Sequence, residues 1–596
     1  MIRLVVIPAV AAVFVLTGLL WQTVYGFYPL QSNSWAWVWD YTRAYGHIPS
    51  FLQWSLYGLG AGIIAVILVI QAVASRIGAR TVAGDRDNDE LHGSARWARK
   101  EDIKDAGLVG REGVVVGGWR RRFRRARMLR HNGPEHVLLF APTGSGKGVS
   151  AILATLLSWA GSVFVLDIKK ENFSLSAGWR AALGHRVLMF EPTAETGSIR
   201  FNPLAEVRIG TGREIADCQN IAAMIIDPDG KGLQDYWRKE GWTWLSVLLI
   251  HILYRVQRDD GRTANFEDVN NFVSGIVAGD EGEDNFVALL EDMIAFEHGT
   301  EHVDKEVRRG ANRMMIKAPQ ERSGVHSTAI TELALYADPI VARNTAVSDF
   351  KLIDLVHGDR PAAFYFVIPP SDMDRLRPLI RIILNVMLRR FTEEMEFKDG
   401  RSATIFKHKL LLMLDEFTSI GKLEIVERAL AFIRGYGIKA YIVIQGISQL
   451  HQAYGRDESI MSNCGVRVAF TPNTVETAKV LSELTGKATI VQRHRTRGRK
   501  VGEIGQVTDA LKETGRPLLT PDECMRLRLI REVKRWGGKK TIPGETLTFV
   551  GGVPPIRGHQ VLYFQDKELR RRAAMPPPAM PAPAAMINDK REGEQP

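Results

Sequence analysis

The chain opens with two long stretches that carry no charged side chain. No Asp, Glu, Lys or Arg occurs from Leu4 to Trp39, and a second such stretch runs from Phe51 to Ser75. At 1.5 Å per residue, about 20 apolar helical residues cross the hydrocarbon core of a bilayer. The pattern therefore predicts a membrane anchor over residues 1–75, with transmembrane helices at about 4–25 and 52–75.

The segment between the predicted helices is short and aromatic, and it reads Ser-Trp-Ala-Trp-Val-Trp from Ser34. Trp side chains favour the headgroup level, so this segment is predicted to be a short periplasmic loop. Arg3 precedes the first stretch, and Arg76, Arg80 and Arg86 follow the second, which places both ends of the chain on the cytoplasmic side. The alternative is a cleavable signal peptide, but a second apolar stretch follows the first.

After residue 135, short apolar runs alternate with helical patterns. This alternation is typical of a parallel sheet covered by helices on both faces. From 209 to 327 helical periods replace the strand-like runs, as in Tyr236–Val256, which predicts an all-α domain inserted into an α/β domain. The predicted strands are His136–Phe140, Val163–Leu166, Val187–Phe190, Ala363–Ile368, Leu410–Leu414 and Ala440–Ile444.

Four further regions complete the predicted organisation. A polar, basic cytoplasmic connector covers 76–135, and the α/β domain covers 136–208 and 328–570. The inserted all-α domain covers 209–327. Residues 571–596 are rich in Pro and Ala and are predicted to be a disordered tail.

The charge of the chain favours an anionic partner. Its formal net charge is +11, with a pI of about 9.4. Seven arginines lie within eleven residues of the connector: Arg120, Arg121, Arg122, Arg124, Arg125, Arg127 and Arg130. They are predicted to bind DNA phosphates or anionic lipid, and a solvated basic face is the alternative. The three cysteines lie far apart without a Cys-x-x-Cys pair, which argues against a disulfide scaffold or a zinc ribbon.

A glycine-rich turn separates the strand at 136–140 from a helix predicted at Lys147–Trp159. Residues 141–148 read Ala-Pro-Thr-Gly-Ser-Gly-Lys-Gly, and in this context backbone N–H groups can cradle phosphates while Lys147 reaches the β- and γ-phosphates. The predicted nucleotide-binding residues are Thr143, Gly144, Ser145, Gly146, Lys147 and Gly148. Gly148 stands where a Ser or Thr hydroxyl normally contacts Mg²⁺, and the sequence leaves open whether Ser145 or Ser150 replaces it.

Acidic and polar residues end the later strands. Asp415 and Glu416 follow Leu411–Leu414 and are predicted to hold Mg²⁺ through water and to activate the attacking water, respectively. Gln445 ends the next strand and is a candidate sensor of the γ-phosphate. Arg434 precedes that strand and is a candidate arginine finger for a neighbouring subunit. An ordinary loop Gln and a surface Arg are the alternatives. The predicted ligands are ATP and Mg²⁺.

These motifs, in this order and behind two apolar stretches, resemble the TraG/TrwB coupling-protein family of conjugation and type IV secretion. The resemblance runs from about residue 1 to 564, and the family likewise carries Gly at position 148. Arg434 and Gln445 fall at its arginine-finger and sensor positions. Other matching segments are Gly93–Ala98, Asp167–Lys169, Phe201–Leu204, Ser348–Phe350, Arg516–Leu519 and Pro555–Gly558.

The resemblance implies a RecA-like P-loop ATPase domain with an inserted all-α domain, assembled as a homo-hexamer in the bacterial inner membrane. It implies recruitment of DNA with its relaxase, or of effector proteins, to the inner-membrane scaffold of a secretion channel, with DNA-stimulated ATP hydrolysis. An FtsK-like DNA pump and an ATP-gated receptor without DNA translocation are the alternatives. The signature sequences Leu-Ser-Gly-Gly-Gln and Asn-Lys-x-Asp do not occur, which argues against an ABC transporter and a GTPase.

Overall fold

The computed structural model describes residues 93–580 except 120–125, 228–231, 275–279, 399–400, 404, 498–506 and 536–537, together with parts of 12–64. The chain divides into two compact units, Met1–Ser94 and Ala95–Pro596. Each unit is described by itself.

The first unit contains helix α1, Ser34–Tyr45, where the sequence predicts a short loop. Aromatic side chains four residues apart stack along it, with ring centroids 5.5 Å apart for Trp37 and Tyr41 and 4.7 Å for Tyr41 and Tyr45. These contacts explain why the aromatic segment is helical. The predicted spans at 4–25 and 52–75 fall largely outside the described residues, and no helix among those described combines the length and apolarity that crossing a membrane requires.

The second unit is built on a sheet in which eleven strands of its described residues pair in the order β2-β1-β17-β16-β11-β3-β10-β9-β4-β6-β5. From β11 to β5 the strands are parallel, and from β16 to β2 they are antiparallel. The strands are β1 Val114–Trp119, β2 Arg127–His131, β3 Val137–Phe140, β4 Ser162–Asp167, β5 Arg186–Phe190, β6 Ala362–Val367, β7 Glu396–Lys398, β8 Arg401–Ala403, β9 Leu410–Leu414, β10 Ile438–Ile444, β11 Val466–Ala469, β12 Lys487–Arg497, β13 Val507–Pro517, β14 Arg531–Arg535, β15 Gly538–Ile542, β16 Glu545–Val550 and β17 Ile556–His559.

Helices cover the sheet and fill the region between β5 and β6. They are α2 Lys100–Asp105, α3 Leu153–Leu156, α4 Glu171–Ala182, α5 Glu214–Ile226, α6 Tyr236–Asp260, α7 Phe266–Ser274, α8 Asp280–Ala295, α9 Glu301–Met315, α10 Pro319–Ile330, α11 Pro339–Asn344, α12 Asp354–His357, α13 Met373–Phe391, α14 Glu424–Ala429, α15 Ile447–Tyr454, α16 Ile460–Asn463, α17 Val475–Thr485, α18 Pro521–Met525 and α19 Lys567–Ala573. A π-helical turn, Gly148–Ile152, precedes α3.

The central strands are buried on both faces, which explains their continuous apolar runs. In β3, Leu138 and Phe140 pack into the cluster that also holds the helices between β5 and β6, whereas Val137 and Leu139 pack into a second cluster on the opposite face. The strand period of two assigns alternate residues to the two clusters. The all-α region therefore shares one hydrophobic core with the sheet.

The structure corrects two predicted boundaries. The connector at 76–135 contributes β1 and β2 to the main sheet, because β1 pairs with β17, more than 400 residues later, and no local pattern marks such a pairing. The end of the all-α region at 327 falls inside α10, and helical structure continues to α12 before β6 begins.

The tail predicted to be disordered from 571 is ordered at its start. Helix α19 buries Leu569 and Ala573, and the guanidinium of Arg572 lies 4.7 Å from the ring centroid of Trp179. Gly178 then leaves room for the backbone of residues 575–576. Packing against α4 therefore orders these residues, and 581–596 lie outside the described part of the chain.

We expect the buried Lys439 to make stability depend on pH. Its ammonium lies 2.8 Å from Nδ1 of His131 and donates to the carbonyls of His131 and Gly133, and burial lowers its pKa to about 7, against the opposing charge of Glu135. Since the unfolded chain holds this proton up to a pKa of about 10.4, the free energy of unfolding should rise from about pH 7 to 10, by at most about 1.4 kcal/mol per pH unit.

Urea unfolding of the full chain at several pH values tests this expectation. Lys439→Met should remove the rise, whereas Lys407→Met, at an exposed position, should keep it. The same pH dependence in wild type and Lys439→Met would contradict the assignment.

Candidate nucleotide site

The phosphate loop, residues 141–148, connects β3 to the π-helical turn. Gly144 and Gly146 have φ values of +77° and +83°, a region that residues with a Cβ rarely adopt. The N–H of Ala141 donates to the carbonyl of Ile444 at 2.8 Å and thereby fixes the loop to the end of β10. The predicted order of strand, glycine turn and helical turn is present.

Two carboxylates meet Lys147 at this edge of the sheet. Nζ of Lys147 lies 3.0 Å from Oδ1 of Asp415 and donates to Oε1 of Glu416. Both acids follow β9, and Glu416 has a φ of +52°, so the chain turns sharply directly after the strand. Since β10 separates β3 from β9 and all three are parallel, their carboxyl ends lie side by side.

Gln445 completes the group from the strand in between. It follows β10, and its Nε2 donates to Oε2 of Glu416 at 2.9 Å. Each oxygen of the Glu416 carboxylate therefore has its own donor, Lys147 on one side and Gln445 on the other. The structure thus brings together Lys147, Asp415, Glu416 and Gln445.

The site contains more carboxylate than its ammonium can balance. Burial raises the pKa of Asp415, and Lys147 opposes the shift. Burial also favours the neutral form of Lys147, but Asp415 and Glu416 outweigh it and raise the pKa of this amine. A third acid, Asp167, ends the adjacent strand β4. Burial raises the pKa of Asp167 to about 6, and the negative charge of Asp415 adds to this shift. Backbone N–H groups, such as that of Phe173, donate to the Asp167 carboxylate and oppose the shift. Carboxylate oxygens are the ligands that Mg²⁺ prefers, but no three acidic, His or Cys side chains of the described residues lie together as a metal site.

The hydroxyl missing at Gly148 has three possible substitutes nearby. Oγ of Ser150 is already bonded to the carbonyl of Gly146 at 2.6 Å. Oγ of Ser145 is buried and has no hydrogen-bond partner among the described residues. Oε2 of Glu171, an exposed residue at the start of α4, lies 3.9 Å from the point where a Cβ on Gly148 would stand. Ser145 and Glu171 are therefore the better candidates for contact with a metal.

Residues from the far end of the chain cover the other side of the loop. The end of the Ile530 side chain packs over Gly146, where a Cβ would displace it. Nε2 of Gln560 donates to the carbonyl of Ser145 at 2.8 Å. No local pattern marks Glu171, Ile530 or Gln560, since each reaches the loop through tertiary structure. Asp167 could have been predicted from the sequence, because it is an acid at the end of an apolar strand.

One other predicted site residue, Arg434, lies away from the cluster. Arg434 is exposed and precedes β10, whereas Gln445 follows it. At about 3.3 Å per residue, this seven-residue strand separates the two by roughly 20 Å. Arg434 therefore lies outside the cluster around Lys147. Of the arginine run, Arg127 is exposed at the start of β2, and Arg120, Arg121, Arg122, Arg124 and Arg125 lie outside the described residues.

Comparison with known proteins agrees with this geometry. Residues 96–585 match the family model described as Type IV secretory system Conjugative DNA transfer. The conjugal transfer protein TraG of Escherichia coli is 41% identical over 97% of this chain and 92% of its own length. Protein VirD4 of Agrobacterium fabrum is 28% identical over 84% of this chain and 70% of its own.

A solved structure shows the same fold. The plasmid coupling protein TrwB in complex with ADP and Mg²⁺ aligns with a TM-score of 0.51 at 15% identity, over 79% of this chain and 93% of that one. The extent of the family match and the identity to TraG show that this chain belongs to the type IV secretory family of conjugative DNA transfer, the coupling proteins related to TraG, VirD4 and TrwB.

Proposed function

We propose that this protein is an ATPase whose turnover is controlled by the ammonium of Lys147. The supporting observation is its position against both Asp415 and Glu416. The β- and γ-phosphates of ATP would compete for the same ammonium. If Lys147 moved toward the phosphates, it would release Oε1 of Glu416. Gln445 would still donate to the other oxygen of this carboxylate, Oε2. Glu416 would then orient the attacking water and accept its proton.

The acids around the loop suit Mg²⁺. Asp415, with Asp167 behind it and Ser145 and Glu171 on the loop side, would hold the ion directly or through water. When bound, Mg²⁺ neutralises charge on the phosphate oxygens. The structure of TrwB with ADP and Mg²⁺ supports this assignment for a relative of the same fold.

The cellular role that we propose is coupling. The protein would sit in the bacterial inner membrane through its N-terminal unit, with both termini in the cytoplasm, and work as a homo-hexamer. It would recruit relaxase–DNA complexes, effector proteins or both, and drive or gate their passage to the inner-membrane scaffold of a type IV secretion channel. Membership of the conjugative transfer family and the similarity to TraG support this role.

We expect Lys147→Ala and Glu416→Gln to separate nucleotide binding from hydrolysis. Lys147→Ala removes the phosphate contact and should abolish ATP turnover and conjugative transfer. Glu416→Gln keeps the shape but removes the base, so ATP should bind normally while turnover falls roughly 10²–10⁴-fold. Binding of a fluorescent ATP analogue and release of phosphate measure the two effects, with Glu424→Gln, a half-exposed acid paired with Arg428, as the control. Failure of Glu416→Gln to bind ATP would make Glu416 structural and sink the catalytic assignment.

We expect Glu171 to set the affinity for Mg²⁺. Because its carboxylate faces the position of the missing hydroxyl, Glu171→Gln should raise the Mg²⁺ concentration needed for tight ADP binding by roughly 10-fold. Binding of a fluorescent ADP without Mg²⁺ should not change. Glu195→Gln, at an exposed position away from the loop, is the matched control. An unaltered Mg²⁺ titration for Glu171→Gln would leave Ser145 as the remaining candidate.

We expect Arg434 to act on the site of a neighbouring subunit. It is exposed at the opposite end of β10 from Gln445, so a guanidinium there can stabilise phosphoryl charge only in an assembly. Arg434→Ala should bind ATP yet hydrolyse little, and activity per subunit should rise steeply with protein concentration.

Mixing two inactive variants tests this arrangement. Arg434→Ala and Lys147→Ala should together recover part of the activity, because an intact Arg434 on one subunit can serve an intact Lys147 on the next. If the variants co-assemble and the mixture stays inactive, or if dilute monomer is fully active, Arg434 does not act between subunits.

A further inference from the structure

The imidazole ring of His136 is hydrogen-bonded through both of its nitrogens. His136 directly precedes β3, the strand that leads into the phosphate loop, and it is buried, with 1% of its surface exposed. Its Nε2 lies 3.0 Å from the carbonyl oxygen of Leu430, and its Nδ1 lies 3.0 Å from the backbone nitrogen of Ala440. A carbonyl only accepts and a backbone N–H only donates, so the ring must be neutral with its proton on Nε2.

The ionisation of His136 agrees with these hydrogen bonds. Burial lowers the pKa of His136 to about 4. The hydrogen bond to the carbonyl of Leu430 opposes this shift, and the positive charges of Lys439 and Arg434 add to it. The imidazole is therefore neutral at neutral pH, as both of its hydrogen bonds require.

The two partners of the ring lie at the ends of the arginine segment, residues 430–440. Leu430 follows α14, and carbonyls at the end of a helix have no partner within the helix. Ala440 lies in β10. Between them, a single 3₁₀ turn, Ile433–Tyr436, carries the exposed Arg434. The imidazole therefore joins both ends of the arginine segment to the start of β3.

Other contacts hold the middle of the arginine segment. Ile433 buries its side chain in the core, and the N–H of Leu410 donates to the carbonyl of Gly437 at 3.2 Å. Leu430 and Ala440 are themselves buried, so loss of the imidazole would leave a carbonyl and an N–H without this partner inside the protein. Because buried polar groups without a partner are costly, the segment would shift to satisfy them.

We propose that His136 is a positioning residue for Arg434, because it holds both ends of the arginine segment against the strand that carries the phosphate loop. This inference rests on the proposed action of Arg434 on a neighbouring subunit. Strand β3 pairs with β10 on one side and β11 on the other, which fixes its place in the sheet. Its carboxyl end leads into the phosphate loop of its own site, and His136 at its amino end directs Arg434 toward the site of the neighbour.

Two substitutions of His136 in the full chain in detergent test the hydrogen bonds. His136→Leu removes both bonds but leaves the phosphate loop intact, so it should bind a fluorescent ATP analogue like wild type. Its ATP turnover should fall roughly 10²-fold, the size of effect that a misplacement of about 1 Å produces. His136→Gln keeps one donor and one acceptor and should retain most of the turnover. Turnover like wild type in His136→Leu, or an equal loss in both variants, would overturn the proposal.

His185→Leu is the matched control for the loss of a buried imidazole. His185 is buried and directly precedes β5, as His136 precedes β3, and both strands belong to the parallel part of the sheet. Their amino ends therefore lie at the same edge of the sheet, but β5 is its last strand and lies far from β10. Turnover per assembled subunit should be unchanged in His185→Leu.

Mixtures of variants distinguish positioning of Arg434 from a general structural role. In equal amounts, His136→Leu and Lys147→Ala should recover roughly a quarter of wild-type turnover, because about one neighbouring pair in four joins an intact phosphate loop to an intact arginine segment. His136→Leu mixed with Arg434→Ala should stay inactive, since neither variant supplies a correctly placed arginine. Copurification of differently tagged subunits verifies that the variants assemble together.

Each other result of the mixing experiment is also decisive. Recovery with Arg434→Ala would show that His136→Leu still supplies its arginine, and no recovery with Lys147→Ala would place the damage in the variant's own site. Either result overturns the proposal when the reference mixture, Arg434→Ala with Lys147→Ala, recovers activity. If the reference mixture also stays inactive, Arg434 does not act between subunits and the inference fails with that function. If His136→Leu does not assemble, His136→Asn, whose shorter amide does not extend to Leu430, should give the same pattern.

Discussion

The nucleotide site depends on one ammonium shared between two carboxylates. Lys147 forms ion pairs with Asp415 and Glu416. Its positive charge stabilises the two partly buried carboxylates, and they in turn stabilise the buried ammonium. Buried carboxylates favour protonation, as the raised pKa of Asp415 shows, and the ammonium opposes this. The arrangement exists because β3, β10 and β9 are adjacent and parallel, so that the phosphate loop, Gln445 and a pair of acids lie at one edge of the sheet.

The sequence could reveal the components that depend on local pattern. The strand at Leu410–Leu414 has the predicted bounds, and the strand predicted at His136–Phe140 begins one residue later. A strand buried on both faces must be apolar throughout, and the acids and glycines after it break that run abruptly. The same signal marks Lys147, Asp415 and Gln445. No local pattern reveals the order in which the strands pair. That order brings these residues together at one edge of the sheet.

The features that escaped prediction all depend on contacts between distant segments. Strand β1 contains Gly117 and Gly118 and is stabilised by β17, so its residues look like part of a polar connector. Pro and Ala after residue 573 look disordered, yet Gly178 on α4 gives their backbone a place to pack. Glu171 and Gln560 reach the phosphate loop from elements whose own patterns describe only a helix start and a strand end.

These long-range pairings place N-terminal and C-terminal strands of the second unit beside the phosphate loop. Because β16 lies between β11 and β17, and β17 pairs with β1, residues 114–131 and 545–559 form one antiparallel extension of the parallel sheet. This extension carries Gln560 to one side of the phosphate loop, while Asp415, Glu416 and Gln445 occupy the other. The loop thus contacts the acids and Gln445 on one side and residues from the N-terminal and C-terminal strands of the unit on the other. The side chain of Gln560, which directly follows β17, donates to the carbonyl of Ser145 and so joins this extension to the phosphate loop. A displacement of β17 would therefore reach the loop through this single side-chain hydrogen bond.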